Sequence, residues 1–186
     1  YFEIFISNKL ILDKDLREEL ANNLHEFVKN KYHINNVTKT RADFYKEIFY
    51  DNEYNRYGAK VQGGDVCIDL GAFVGMFSHY ALTRGASKVY SVEINPETYK
   101  CLVENTKSNP EIKTFLGKVS DRHDGKNLHS IEGIIKDNNL KCVDFVKMDI
   151  ENSEYPVLIN IKPSTLNKVK KWAIEIHLKW NEDGIE

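Results

Sequence analysis

The stretch 65-DVCIDLGAFVGMF-77 decides the fold. Val66, Cys67 and Ile68 form an apolar run, short and rich in β-branched residues, that reads as a buried strand closed by Asp69. Two glycines four positions apart, Gly71 and Gly75, then lead into an apolar periodic segment that reads as a helix over 74–85. A glycine at 71 lets a ligand lie directly on the backbone, and one at 75 lets the helix start close to the strand. The N-terminus of that helix carries free N–H groups and partial positive charge, which suit a carboxylate or a phosphate.

Outward from this turn, strands and helices alternate. The strand at 66–69 feeds the helix at 74–85, for which Gly85 is the stop signal. The strand at 88–93 feeds a helix opened by Asn95 as cap and Pro96 in its first turn. Further strands read at 112–117, 143–149 and 169–177, with helices at 128–138 and 154–160 and a polar loop at 121–127. Such alternation predicts an α/β fold: a Rossmann-like, mostly parallel sheet with helices on both faces. Before it come a strand-like opening and two amphipathic segments, 13–32 and 42–54. These predict an N-terminal helical extension over 1–60 that packs on a core domain at 61–186.

The totals narrow the function. The chain's 186 residues suffice for one domain with a sizeable core. A net charge of −2 argues against a broad basic surface for nucleic acid. No apolar run approaches the roughly 20 residues of a bilayer span, and the first residues lack a basic leader, so neither a membrane span nor a signal peptide is expected. Cys67, Cys101 and Cys142 form no C-x-x-C pair and read as reduced core cysteines of a cytoplasmic protein. The six histidines show no metal-ligand spacing, and no metal is expected.

In folds of this class, ligands sit beyond the carboxyl ends of the strands. Those ends carry Asp69, Glu93, Asp149, Glu175 and His177. A dinucleotide fingerprint needs G-x-G-x-x-G, but Phe73 and Met76 stand where its second and third glycines belong. A smaller nucleoside with an amino acid end fits better, and S-adenosyl-L-methionine is such a molecule. Its amino acid end would lie on the Gly71 turn. Glu93, about twenty residues on, would accept the ribose hydroxyls, and Ile94 would cover the adenine. The expected cofactor contacts are Asp69, Gly71, Ala72, Phe73, Gly75, Met76, Phe77, Glu93, Ile94, Asn95, Ser120 and Asp149.

The segments 65-DVCIDLGAFVGMFSHYAL-82, 89-VYSVEINPETYKCLVEN-105 and 143-VDFVKMDIENSEYPVL-158 resemble the FkbM-type family of S-adenosylmethionine-dependent methyltransferases. The last block is the most specific. The family's D-x-E-G-x-E pattern reads here as Asp149, Ile150, Glu151, Asn152, Ser153 and Glu154. The resemblance implies a class I methyltransferase fold and O-methylation of a hydroxylated small molecule, such as a sugar or natural product. Three features depart from the pattern. Phe73 replaces the family's usual Asn, Asn152 replaces its usual Gly, and the two strands that usually end the sheet, one of them antiparallel, are absent from the sequence.

Methyl transfer to an alcohol needs in-line alignment and gains from a base. The candidates are His177, Asp149, Glu151, Glu154 and Glu175; His177 has the pKa best suited to neutral pH. Two alternatives differ in class: a cofactor-binding module that has lost turnover, and an N-methyltransferase acting on protein or nucleic acid. The strand at 143–149 ends in D-I-E rather than the N/D-P-P-Y of amino-methylating DNA enzymes.

Overall fold

The computed structural model describes residues 2–5, 59–151, 153–176, 180–181 and 184–185. The helices expected at 13–32 and 42–54 lie outside the described residues, as does His177. Strands β1 (Phe2–Phe5), β2 (Val66–Leu70), β3 (Lys88–Glu93), β4 (Ile112–Leu116), β7 (Phe145–Met148) and β8 (Trp172–Ile176) form one sheet in the order β1-β8-β7-β2-β3-β4. All neighbours are parallel except β1, which runs antiparallel to β8. An antiparallel strand therefore does stand at the β8 edge, and it comes from residues 2–5. Two short ladders complete the strands: β5 (Lys118–Val119) beside β6 (Leu128–His129), and β9 (Trp180–Asn181) beside β10 (Gly184–Ile185).

Side-chain alternation sorts the sheet into two faces. On one face Cys67, Val89, Phe145 and Ala173 pack under helix α1 (Met76–Thr83) through Phe77, Tyr80 and Ala81. The Phe77 and Phe145 rings stack 5.6 Å apart. On the other face Ile68, Leu70, Tyr90, Val92, Val146 and Met148 pack against Ile131, Ile134 and Ile135 of helix α3 (Ile131–Asp137), and against Val157 of helix α4 (Glu154–Asn160). The expected core role holds for Cys67, whose thiol is pushed up by burial and is no nucleophile; Cys101 is exposed and Cys142 half-buried.

Helix α2 (Pro96–Thr106) starts as its sequence predicts, with the Asn95 side chain accepting the N–H groups of Glu97 and Thr98. Helix α3 begins three residues later than its periodicity suggests. Ser130 caps it by accepting from Gly133, and Leu128–His129 join the β5 ladder instead. A short helix α5 (Pro163–Leu166) leads toward β8.

From the central β2 the chain builds outward to β3 and β4, then crosses back to lay β7 and β8 on the other side. The order reverses between β2 and β7, the point beyond whose carboxyl ends folds of this class form their ligand crevice. At the opposite ends of the strands Asp144 accepts from Val66 N and pairs with Lys170, and Asp65 pairs with Lys171.

Candidate active site

The turn from β2 into α1 is pinned from two strands, β3 and β7. The carbonyl of Val92 accepts from both Gly71 N (3.0 Å) and Ala72 N (2.9 Å). The Glu93 carboxylate accepts from Phe73 N at 2.8 Å. Lys147, on β7, donates its ammonium to the Gly71 carbonyl at 2.6 Å. The turn is thus rigid before any ligand arrives, which lowers the ordering cost of binding.

The two glycines are explained by neighbours within the protein. Gly71 has φ +77°, and a Cβ there would fall 1.7 Å from the backbone oxygen of Asp149. The missing side chain at position 71 makes room for the chain where it leaves β7. Gly75, with φ +92°, would meet Leu102 at 2.9 Å, so it brings α1 close to helix α2 rather than to the strand. Asn105 donates to Val74 O, and His79 shares a hydrogen bond with Asn105 O, which fixes the same contact.

Phe73 occupies the left-handed region (φ +50°), where a bulky side chain costs about 1–2 kcal/mol. Asn tolerates that conformation, which explains physically why an Asn suits this position in the resembling family. Glu151, at the end of the β7 side, is also left-handed (φ +51°). Both strained residues flank the crevice, where strain of this kind commonly accompanies function.

Glu93 is buried, and both its oxygens are already used: Oε2 by Phe73 N and Oε1 by Asn95 N. Each oxygen keeps a second lone pair, so it can still accept a hydroxyl. Ile94 beside it is 61% exposed and Phe73 39% exposed, whereas Phe77 is core. Ala72 is buried in the turn, and Met76 opens α1 half-buried. The Ser120 hydroxyl is engaged locally, donating to Asp121 and accepting from Arg122 N.

Beneath α1 the β2, β3 and β7 residues in register form a buried polar row: Ser91, Asp69 and Lys147. Ser78 of α1 donates to Asp69 Oδ2 at 2.6 Å and shares a bond with Ser91 at 2.8 Å. Lys147 Nζ lies 3.6 Å from Asp69 Oδ1 and 3.6 Å from Asp149 Oδ2. Burial pulls the lysine pKa down, but the carboxylates of Asp69, Asp149 and Glu175 outweigh it and hold it above the ordinary value. Burial pushes Asp69 up, with Lys147 and Ser78 offsetting only part of that. Sequence reasoning missed Lys147; its signal was a lone cation inside a strand otherwise buried on both faces.

Of the candidate bases, Asp149, Glu151 and Glu175 stand at or just past the ends of adjacent strands β7 and β8, half-buried to exposed. Glu154 is 1% exposed and accepts from Ile150 N at 2.9 Å, which braces the loop into α4. Among the described residues no group of three or more His, Cys, Asp or Glu is placed to hold a metal ion. No helix among them is long and apolar enough to cross a membrane.

The TRM5/TYW2 methyltransferase domain model matches residues 26–173. The chain belongs to that methyltransferase family. It is an S-adenosyl-L-methionine-dependent methyltransferase domain. This is a different family model from the FkbM-type one that the motifs suggested. The FkbM likeness is partial: the 31-O-demethyl-FK506 methyltransferase FkbM of Streptomyces tacrolimicus is 36% identical over 74 residues, 39% of this chain. The match spans 28% of that relative's length. A Pyrococcus horikoshii protein, provisionally described as an RNA methyltransferase, shares the fold at 23% identity with a TM-score of 0.52, covering 86% of this chain and 73% of that one.

The residues present suit the cofactor. The α1 N-terminus beside the braced turn offers N–H groups to a carboxylate. Glu93 retains acceptor capacity for hydroxyls, and Ile94 offers an exposed apolar surface for a ring.

Proposed function

We propose that this methyltransferase domain transfers a methyl group to a hydroxyl of a small molecule or sugar. The observation that carries the reading is the set of three carboxylates, Asp149, Glu151 and Glu175, at the ends of β7 and β8 beside the β2–α1 turn. When bound, S-adenosyl-L-methionine supplies an electrophilic methyl on a positively charged sulfur. The acids at the crevice favour a cationic donor and can accept the proton of a neutral hydroxyl. They disfavour a polyanion at the same mouth. Backbone and side chains of the turn hold the donor, while the β7 and β8 ends orient the acceptor oxygen.

His177, outside the described residues, is proposed as the base, and Glu154 as support for the backbone at Ile150. The cofactor contacts expected from the sequence are likewise part of this proposal. The partial likeness to an FK506 O-methyltransferase supports a hydroxyl acceptor. The test is methyl transfer from isotopically labelled S-adenosylmethionine to a panel of hydroxylated sugars and natural products, with RNA as the parallel arm. Label in an alkali-stable methyl ether supports the reading. Label in RNA with none in the panel overturns it in favour of nucleic acid, and binding without transfer to either favours a module without turnover.

A further inference from the structure

Lys147 touches neither the donor nor the acceptor in the reading above; it braces the turn from β7 and is buried, 4% exposed. Its ammonium cannot reach solvent or a ligand directly, because it is spent on the floor of the turn: Gly71 O at 2.6 Å and Leu70 O at 3.5 Å. Around it stand Asp69, Asp149 and, further off, Glu175. The contact to Gly71 O fixes the plane of the 71–72 peptide from the β7 side, while Val92 O fixes Ala72 N from the β3 side. Two strands thus grip one peptide from opposite directions. The same ammonium faces Asp149, the first acid of the acceptor side.

We propose that Lys147 is a positioning residue: it holds the Gly71 turn in the orientation that receives the amino acid end of the methyl donor, and it ties that turn to Asp149. The inference rests on the methyl-donor reading of the site. Replacing Lys147 frees the Gly71 peptide to rotate, and the α1 N-terminus loses its alignment with the donor's carboxylate. The ribose side is held by Glu93 from β3 and does not pass through Lys147.

The test compares two ligands. S-adenosylmethionine carries the amino acid end, and 5′-methylthioadenosine lacks it. Removing Lys147 alone leaves Asp69 and Asp149 uncompensated and risks unfolding, so Lys147→Met is made together with Asp69→Asn. Calorimetry on the wild type comes first: failure to bind S-adenosylmethionine overturns the donor reading, and this inference with it. Where the wild type binds, the folded double variant is expected to bind S-adenosylmethionine at least tenfold more weakly and methylthioadenosine within twofold of wild type. Unchanged S-adenosylmethionine affinity, or equal loss for both ligands, overturns the positioning role while leaving the donor reading intact. If the double variant does not fold, the wild type is read by NMR at the Lys147 Nζ. A shift on adding S-adenosylmethionine but not methylthioadenosine supports the role, and identical responses overturn it.

Discussion

The Glu93 carboxylate receives the backbone N–H of Phe73 at 2.8 Å, which ties the end of β3 to the turn that follows β2. Glu93 therefore braces the turn, and the proposed function gives its remaining lone pairs to a ribose. Glu93→Ala is expected to weaken S-adenosylmethionine binding tenfold or more, about 1.4 kcal/mol. It also frees two backbone amides and lowers the melting temperature by a few degrees. Glu93→Gln keeps one acceptor oxygen and should fall between the two. Calorimetry and thermal melting on the same samples read both effects; an Ala variant with wild-type affinity would remove Glu93 from the site.

Phe73 is a residue in conflict with its backbone. Phe73→Asn should relieve left-handed strain and raise stability by about 0.5–1 kcal/mol. A ring placed at the crevice for a ligand predicts that the same change weakens donor binding or turnover, the usual exchange between stability and activity. Denaturant titration beside binding separates the two. Higher stability with unaltered binding would show that the ring has no part in the site.

Gly71→Ala should be among the most damaging changes in the domain. The new methyl would sit 1.7 Å from Asp149 O at a left-handed φ, so the backbone of β2 or β7 must move. A loss on the order of 2–4 kcal/mol is expected from overpacking and strain together. The urea midpoint measures it, and a shift no larger than that of a surface substitution would contradict this packing.

Much of the core was readable because its signals are local. Asn95 and Pro96 mark the start of α2 within one turn, and the apolar runs at 66–70 and 88–93 are bounded by their own acids. Asp69, Glu93 and Asp149 could be placed at the strand ends because those ends are visible in sequence. What stayed hidden depends on register and distance. No local pattern tells residues 2–5 to pair with β8, or Lys118–Val119 to pair with Leu128–His129. The packing reason for a glycine at 71 stayed hidden for the same reason, since its neighbour lies 78 positions away at Asp149. Lys147 belongs to the same class: only the pairing of β2 with β7 places it beside Asp69.

Acid sensitivity has a specific source in the loop after β5. Asp124 Oδ1 accepts the N–H groups of Leu128, Lys126 and Asn127, and these bonds, the one from Leu128 above all, hold its carboxyl down to about 2 from 3.8. A depressed folded-state pKa stabilises the fold above the unfolded value and ceases to do so as pH falls through the folded one. The melting temperature should therefore drop between pH 3.8 and about 2. Asp124→Asn should flatten that limb while leaving the profile near neutral pH parallel to wild type. An unaltered acid limb would assign the loss to other carboxylates.

The central claim is that the braced turn at Gly71 and the carboxylate of Glu93 together hold a sulfonium nucleoside. Calorimetric titration of the wild-type protein with S-adenosyl-L-methionine, and separately with NAD, tests it most directly. The account predicts saturable binding of one S-adenosylmethionine per chain and no heat from NAD. Binding of NAD, or of neither molecule by a folded protein, would contradict it.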